Sequence, residues 1–137
     1  NTCLAESKYW CVLLRPIQVT LGSMVIIYKN ATAYSLSEID IESFSEFTAF
    51  CNVIENTLSV ELNAKKFNYL ALMMVDPQVH FHVLPRYEVS PRFLDKEFPD
   101  QEWPGPPDIL NDIGIDQSAF EDLKTLLKSR FLTNERP

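Results

Sequence analysis

The sequence Asp-Pro-Gln-Val-His-Phe-His-Val-Leu-Pro-Arg-Tyr, residues 76–87, contains both histidines of the chain, His80 and His82, one residue apart. Along this stretch, polar or imidazole side chains alternate with apolar ones, which is the period of a half-buried β-strand. The pattern places Gln78, His80 and His82 on one face, with Leu84 beyond them. At a rise of about 3.3 Å per residue, alternate side chains of a strand stand about 6 to 7 Å apart. Such a row can hold one anionic group between neighbouring side chains.

The preceding segments predict a sheet around this strand. Apolar and β-branched residues are concentrated in 8–14 and 22–28, which predict the first two strands. Residues 67–74 predict a third strand, and 78–84 follow it after a turn at 75–77, where proline and aspartate favour reversal of the chain. Because this connection is short, we expect the last two strands to be antiparallel neighbours.

Two amphipathic segments predict helices that cover the sheet. The longer runs from about 41 to 62, and Asn63 is a plausible left-handed residue to end it. The shorter runs from about 118 to 131, with Asp116 or Ser118 as its cap. Apolar residues at spacings of three and four form the stripe of the long helix: Phe44, Phe47, Cys51, Ile54 and Leu58.

The region between these parts has a different composition. Residues 88–112 contain five prolines and few periodic apolar positions, so we expect a long irregular segment with a functional or interfacial role. A chain of 137 residues fits one domain. The predicted fold of residues 1–137 is therefore a single α+β domain, with an antiparallel sheet of about five strands, one long helix and a C-terminal helix.

Composition narrows the classes of partner. The chain has 19 acidic and 12 basic residues and a net charge of −7, so its field repels polyanions and we expect no nucleic-acid polymer as partner. No stretch approaches the roughly 20 apolar residues of a membrane span, which predicts a soluble protein with no membrane partner. The three cysteines are odd in number and lack Cys-x-x-Cys spacing, which favours reduced thiols in a cytoplasm.

Two kinds of chemistry fit the paired imidazoles. Phosphoryl transfer needs a nucleophile, donors that stabilise the anion and a proton for the leaving group, and imidazole, with a pKa of about 6.5, supplies a nucleophile near neutral pH. Alternatively, His-x-His on a strand can present two nitrogens to zinc or another divalent ion. Asp76 or a distant carboxylate would then be the third ligand. From these residues alone, the two alternatives have equal weight.

The histidine segment also resembles a known motif. Residues 78–86, Gln-Val-His-Phe-His-Val-Leu-Pro-Arg, resemble the His-φ-His-φ-His-φ-φ motif of the histidine-triad family of nucleotide hydrolases and transferases, in which Pro-Arg often follows. Glutamine stands here in the place of the first histidine. Residues 67–76 resemble the preceding strand of diadenosine-tetraphosphate-hydrolase-like members, with Asn68 at the matching distance. Together with 6–10 and 21–27, which resemble the family's first strands, the likeness covers most of residues 5–87.

The resemblance implies an enzyme that cleaves a phosphoanhydride or phosphoramidate bond in a nucleotide such as a diadenosine polyphosphate. By position in the motif, His80 attacks the α-phosphate to give a nucleotidyl-histidine intermediate, and His82 contacts the phosphate oxygens and helps to orient the nucleophile. Asn68 and Arg86 are the candidate substrate-binding residues, with Arg86 near a distal phosphate. The family mechanism requires no metal or cofactor in the covalent step. Members usually pair, so a homodimer is expected.

Gln78 is the main departure from the motif, and it is counted with the two histidines as a candidate catalytic residue. An amide can donate and accept hydrogen bonds, but it carries no proton charge at neutral pH. We therefore expect the phosphate site to persist while turnover falls by about one to two orders of magnitude, unless glutamine suffices here. A nucleotide-binding protein with weakened or lost catalysis is the first alternative function, and a His-x-His metal-binding protein is the second. Some members have an acidic or amide residue that binds the ribose hydroxyls at the end of the first strand. Arg15 and Pro16 stand at this place here, so the resemblance implies no ribose-binding residue there.

Overall fold

The computed structural model describes residues 2–134, so Asn1 and residues 135–137 of the predicted domain lie outside the described residues. A short 3-10 helix at Leu36–Glu38 precedes the first α-helix. The elements, in chain order, are strands β1 (Cys3–Glu6), β2 (Trp10–Leu14) and β3 (Met24–Tyr28), helix α1 (Ser43–Leu62), strands β4 (Lys66–Leu70), β5 (His80–Arg86), β6 (Arg92–Phe93) and β7 (Lys96–Glu97), and helix α2 (Gln117–Asn134).

Five of the strands form one antiparallel sheet in the order β1-β2-β3-β5-β4, as the α+β prediction expects. On β3, Val25 lies opposite His82 and Ile27 lies opposite His80. On β4, Leu70 lies opposite His82. Because directly opposite residues of antiparallel strands share a face, the two histidines lie on one face of an inner strand, with apolar neighbours on both sides.

The other face of β5 packs into the core beneath helix α1. The Phe81 ring centroid lies 4.7 Å from that of Phe47 on α1 and 6.2 Å from that of Trp10 on β2. Val83 is completely buried, and the indole Nε1 of Trp10 donates to the Ser43 carbonyl oxygen at 2.9 Å. The contacts of Phe81 and Val83 hold one face of β5 against the core. The histidines lie on the opposite face, which is therefore not occupied by the core.

Helix α1 differs from the predicted helix at its beginning. It starts two residues later than predicted, and Phe44, assigned to the apolar stripe, is 45% exposed. Phe44 lies in the first turn, and Phe47 is the residue that reaches the Trp10 ring, with centroids 5.0 Å apart. Phe50 is buried in addition. The helix ends as predicted, because Asn63 has a φ of 63° in the left-handed region and its N–H bonds to the Leu58 carbonyl oxygen.

The connection between β4 and β5 is longer than predicted. The first strand ends at Leu70 and the second begins at His80, so residues 71–79 form a loop that includes the predicted turn. Met73 has a φ of 44°, which a strand does not accommodate, and Val75 is fully exposed. The apolar run after Leu70 therefore continues beyond the sheet. The prediction that the two strands are antiparallel neighbours is confirmed.

The C-terminal part follows the predicted order of irregular segment and helix. Segment 88–112 contains the hairpin of β6 and β7 and is otherwise irregular. Helix α2 is longer than the predicted 118–131, and its cap is Asp116 rather than Ser118, since the Asp116 Oδ1 atom accepts from the Ala119 N–H at 2.8 Å. Within residues 2–134, no helix combines the length and apolarity needed to cross a membrane.

Candidate active site

The histidine face of β5 borders an open cleft of about 350 Å³. Four separate parts of the chain meet there: the residue after β2, the loop 71–79, β5 itself and the irregular segment 88–112. Its polar side chains are one cation, one carboxylate and two imidazoles, from Arg15, Asp76, His80 and His82. Its walls are apolar and consist of Leu72, Met74, Val75, Leu84, Ile109 and Leu110.

The ring of His80 is held in one tautomer by the backbone. Its Nδ1 atom lies 2.7 Å from the carbonyl oxygen of Gln78. Because a carbonyl oxygen can only accept, the proton of the neutral ring is on Nδ1 and the lone pair is on Nε2. His80 is half-buried and lines the cleft. The fold therefore presents an imidazole whose Nε2 is a nucleophile.

The ring of His82 packs against that of His80, with centroids 4.9 Å apart and planes at 82°. Burial lowers the pKa of His82, and the positive charge of Arg15 and the neighbouring His80 lower it further. His82 is therefore neutral near pH 7. Its Nδ1 atom is buried and has no hydrogen-bond partner among residues 2–134, while the residue as a whole is half-buried and lines the cleft.

The lowered pKa of His82 predicts a pH-dependent stability. Because folding lowers this pKa from about 6.5 in the unfolded chain, the contribution of the neutral ring is complete above that pH and is lost as the pH falls through the folded-state value. We expect the urea midpoint of the wild type to fall more steeply between pH 7 and pH 5 than that of His82→Gln. An NMR titration should place the His82 midpoint below 6.5. Equal slopes for both proteins would contradict the prediction.

Gln78 does not line the cleft, so the predicted row of three polar side chains is wrong at this position. The residue precedes β5, and its Nε2 atom donates to the Tyr28 carbonyl oxygen at the end of β3, at 2.7 Å. Its backbone N–H donates to the Asp76 Oδ1 atom at 3.0 Å. Gln78 acts on the site through its backbone, because its carbonyl oxygen bonds to His80. A main-chain carbonyl is present whatever side chain stands at this position.

Arg86 and Asn68, the predicted substrate-binding residues, lie outside the cleft. The Arg86 side chain is 4% exposed and forms a two-point ion pair with Asp100, with Nε–Oδ2 and Nη2–Oδ1 distances of 2.7 and 3.2 Å. Its Nη1 atom donates to the Asn68 Oδ1 atom at 2.8 Å. All three guanidinium nitrogens thus bond within the protein. We therefore correct the assignment: Arg86 and Asn68 hold the end of β5 and its neighbour in place.

Arg15 is a cleft residue that the strand and helix patterns do not indicate. It directly follows β2, and its half-buried side chain reaches the cleft that contains the histidines. The available signal was the resemblance, which sets Arg15 and Pro16 at the place where some family members hold the ribose. Ile109 and Leu110 come from the irregular segment, so no local period could place them beside β5.

The metal-binding alternative requires a third ligand near the two histidines. Asp76 lines the same cleft, but one of its carboxylate oxygens accepts the Gln78 N–H. Within residues 2–134, no three His, Cys, Asp or Glu side chains are grouped so that they could hold a metal ion. The structure therefore gives this alternative no third ligand.

Comparison with solved structures identifies the fold. Neither a scan against protein-family models nor a search of curated proteins finds a match to this sequence. Among solved structures, 98% of the chain superposes on 86% of a hypothetical histidine triad nucleotide-binding protein from Sulfolobus tokodaii, with 16% identity and a TM-score of 0.75. A histidine triad protein from Marinobacter aquaeolei matches 96% of the chain over 88% of its own length, with 19% identity and a TM-score of 0.72.

A third match is to an enzyme. The diadenosine triphosphate hydrolase of Plasmodium falciparum matches 98% of the chain over 78% of its own length, with 17% identity and a TM-score of 0.65. At these identities the likeness establishes the fold. The chain has the histidine-triad fold, an α+β arrangement of a five-stranded antiparallel sheet and two helices.

Proposed function

We propose that this protein is a nucleotide hydrolase of the histidine-triad family, which cleaves a phosphoanhydride or phosphoramidate bond through a nucleotidyl-histidine intermediate on His80. The observation that carries the proposal is the bond from Nδ1 of His80 to the Gln78 carbonyl oxygen. This bond leaves the lone pair on Nε2 of a ring that lines the cleft. The fold shared with the Plasmodium falciparum diadenosine triphosphate hydrolase supports a dinucleoside polyphosphate as the substrate.

The reaction has two displacement steps at one phosphorus atom. In the first, Nε2 of His80 forms a bond to the α-phosphorus, and the bond to the leaving group breaks with its electron pair passing to that group, which takes a proton from water. The His80 ring becomes positively charged, and the Gln78 carbonyl oxygen stabilises this charge through the Nδ1–H bond. In the second step, water attacks the phosphorus and loses a proton to the solvent, and the P–N bond breaks with its electron pair returning to Nε2, so that His80 is neutral again.

The remaining cleft groups have complementary roles. His82 lines the cleft beside His80, and an N–H of its ring can donate to a phosphoryl oxygen. The apolar walls suit the faces of a nucleotide base, since aromatic ligands bind to clefts with mostly apolar linings and few polar groups. Leu72 and Ile109 lie on these walls. Contacts along these walls would determine which base and which leaving group the protein prefers.

The test of the proposal is to trap the intermediate. The protein is incubated with diadenosine triphosphate labelled in its α-phosphates and quenched in alkali, where phosphoramidate bonds survive. We expect one adenylyl group on the peptide that contains His80, and none on the His80→Ala protein. Turnover without an adduct, or an adduct on another residue, would contradict the mechanism. Binding with neither turnover nor adduct would support the first alternative, a nucleotide-binding protein without catalysis.

The side chain of Gln78 should matter little for catalysis. Because the main-chain carbonyl supports His80, we expect both Gln78→Ala and Gln78→His to keep kcat within about tenfold of the wild type, less than the loss of a supporting acid-base group. Gln78→Ala should lose about 1 kcal/mol of stability with the bond to Tyr28. Steady-state kinetics and urea unfolding measure the two effects. A gain of about a hundredfold with Gln78→His would instead show that glutamine impairs the site.

We also propose that the protein acts as a homodimer in the cytoplasm. Strand β4 is an edge of the sheet, and such an edge offers unpaired backbone groups to another chain. The cysteines are three in number and lack Cys-x-x-Cys spacing, which suits a reducing compartment. Sedimentation equilibrium at micromolar concentration tests the dimer.

A further inference from the structure

The backbone of Arg15 is fixed at the edge of the cleft. Its N–H donates to the Ser23 carbonyl oxygen at 2.9 Å, and its own carbonyl oxygen accepts from the Gln18 Nε2 atom at 2.7 Å. Gln18 is completely buried. The side chain of Arg15 therefore leaves a rigid support and reaches the cleft that His80 and His82 also line.

The guanidinium of Arg15 lacks a protein partner. Among residues 2–134 it has neither an ion pair nor a hydrogen bond, whereas the other three arginines of this range, Arg86, Arg92 and Arg130, each pair with a carboxylate. The chain has 19 carboxylic residues and a net charge of −7, so carboxylates are abundant. A half-buried cation without a counter-ion is costly, and burial lowers the pKa of Arg15. An anionic ligand would remove this cost.

The charge of Arg15 acts on His82. It is the second largest cause of the lowered pKa of His82, after burial, so the guanidinium is electrostatically close to that ring. Among the described residues, Asp76 is the one carboxylate that lines the cleft, and it is exposed and bonds to the Gln78 N–H. Arg15 is the one cation of residues 2–134 that lines the cleft.

We propose that Arg15 binds the non-bridging oxygens of the phosphoryl group that His80 attacks, and that it is the main anion-binding residue of the site. This inference rests on the proposed function, because it names the group that holds the substrate for His80. The planar fork of a guanidinium matches two phosphoryl oxygens. In this position it neutralises charge on the phosphoryl group in both displacement steps.

The inference can be tested by binding, without turnover. Isothermal titration compares AMP, adenosine and orthophosphate as probes on the wild type, Arg15→Gln, Arg15→Lys and Arg92→Gln. We expect the wild type to bind AMP at least about tenfold more tightly than adenosine, the factor that corresponds to one charge-assisted contact. Arg15→Gln should remove this difference and leave adenosine binding unchanged. Arg15→Lys should keep part of it, since an ammonium keeps the charge but loses the fork.

Arg92→Gln is the matched control, because Arg92 is exposed, pairs with Glu97 in the β6–β7 hairpin and does not line the cleft. It should bind all three probes as the wild type does. The inference is overturned if the wild type binds AMP no better than adenosine, if it binds neither AMP nor orthophosphate, or if Arg15→Gln binds AMP as the wild type does. Thermal unfolding of each variant confirms that it is folded, and Arg15→Lys provides the comparison if Arg15→Gln is not.

The two proposals fail in different ways. AMP binding that depends on Arg15, without an adduct on His80, would overturn the proposed hydrolase and keep the anion site. An adduct on His80 with AMP binding that is the same in Arg15→Gln would keep the hydrolase and overturn the role of Arg15.

Discussion

Replacement of His80 by alanine should lower kcat/KM for diadenosine triphosphate by about 10⁴-fold or more, the scale of loss seen when an enzyme's nucleophile is removed. The reason is that His80 presents the Nε2 lone pair in the cleft, whereas the Nδ1 atom of His82 is buried. His80 is half-buried and bonds only to a main-chain carbonyl, so the fold should tolerate the change. Single-turnover assays measure the loss.

Two controls accompany this variant. Circular dichroism should match the wild type, and the free energy of unfolding should fall by only about 1 kcal/mol with the lost hydrogen bond. His82→Ala should lose less activity than His80→Ala, since His82 assists the phosphoryl group without forming a bond to it. Imidazole added to His80→Ala should restore part of the activity. If His80→Ala keeps more than about a tenth of the wild-type kcat/KM, His80 is not the nucleophile.

Replacement of Arg86 by methionine should destabilise the protein by about 3 to 5 kcal/mol, because it leaves the Asp100 carboxylate buried without its counter-charge. The Asp100 side chain is only 3% exposed. It accepts from Nε and Nη2 of Arg86 and from the Tyr87 N–H, so it connects β5 to the irregular segment. Asn68 would lose its Nη1 donor at the same time. Urea unfolding with a two-state fit measures the change.

An exposed pair on the same protein provides the comparison. Arg92 and Glu97 form an ion pair at 3.2 Å with side chains 60% and 57% exposed, so Arg92→Met should cost at most about 1 kcal/mol. The double variant with Arg86→Met and Asp100→Leu should recover much of the stability, since no buried charge is left unpaired. A loss of less than about 1 kcal/mol for Arg86→Met would show that Asp100 reaches water, and the structural role of Arg86 would be wrong.

Local periodicity was sufficient for the regular elements. Alternation along β5 predicted a half-buried strand with the histidines on one face, and the register of β3 and β4 confirms that face. The left-handed end of α1 at Asn63 was predicted because few residues adopt that conformation. The four-residue strand β1 was not predicted, because so short a stretch contains too few alternations to be recognised as a strand.

Apolar runs at the cleft were misinterpreted. The stretch after Leu70 has the composition of a strand, yet Met74 and Val75 are exposed at the mouth of the cleft. Apolar side chains that line a ligand site have the same composition as those of a core, so hydropathy cannot distinguish the two. Hydropathy also fails for Phe44 in the first turn of α1, which is exposed although it was assigned to the apolar stripe. The helical period predicts the face on which a residue lies, but not how far the sheet extends beneath that face.

The amino-acid sequence by itself determined the half-buried strand, the spacing of the two imidazoles and the two covering helices, because these depend on periods of two and 3.6 residues within single segments. The tertiary structure decided which polar groups reach the cleft. Gln78 bonds to β3, Arg86 is buried against Asp100, and Arg15 faces the histidines across more than sixty positions of sequence. A local period assigns a side chain to a face, but loop paths and strand order determine which faces meet.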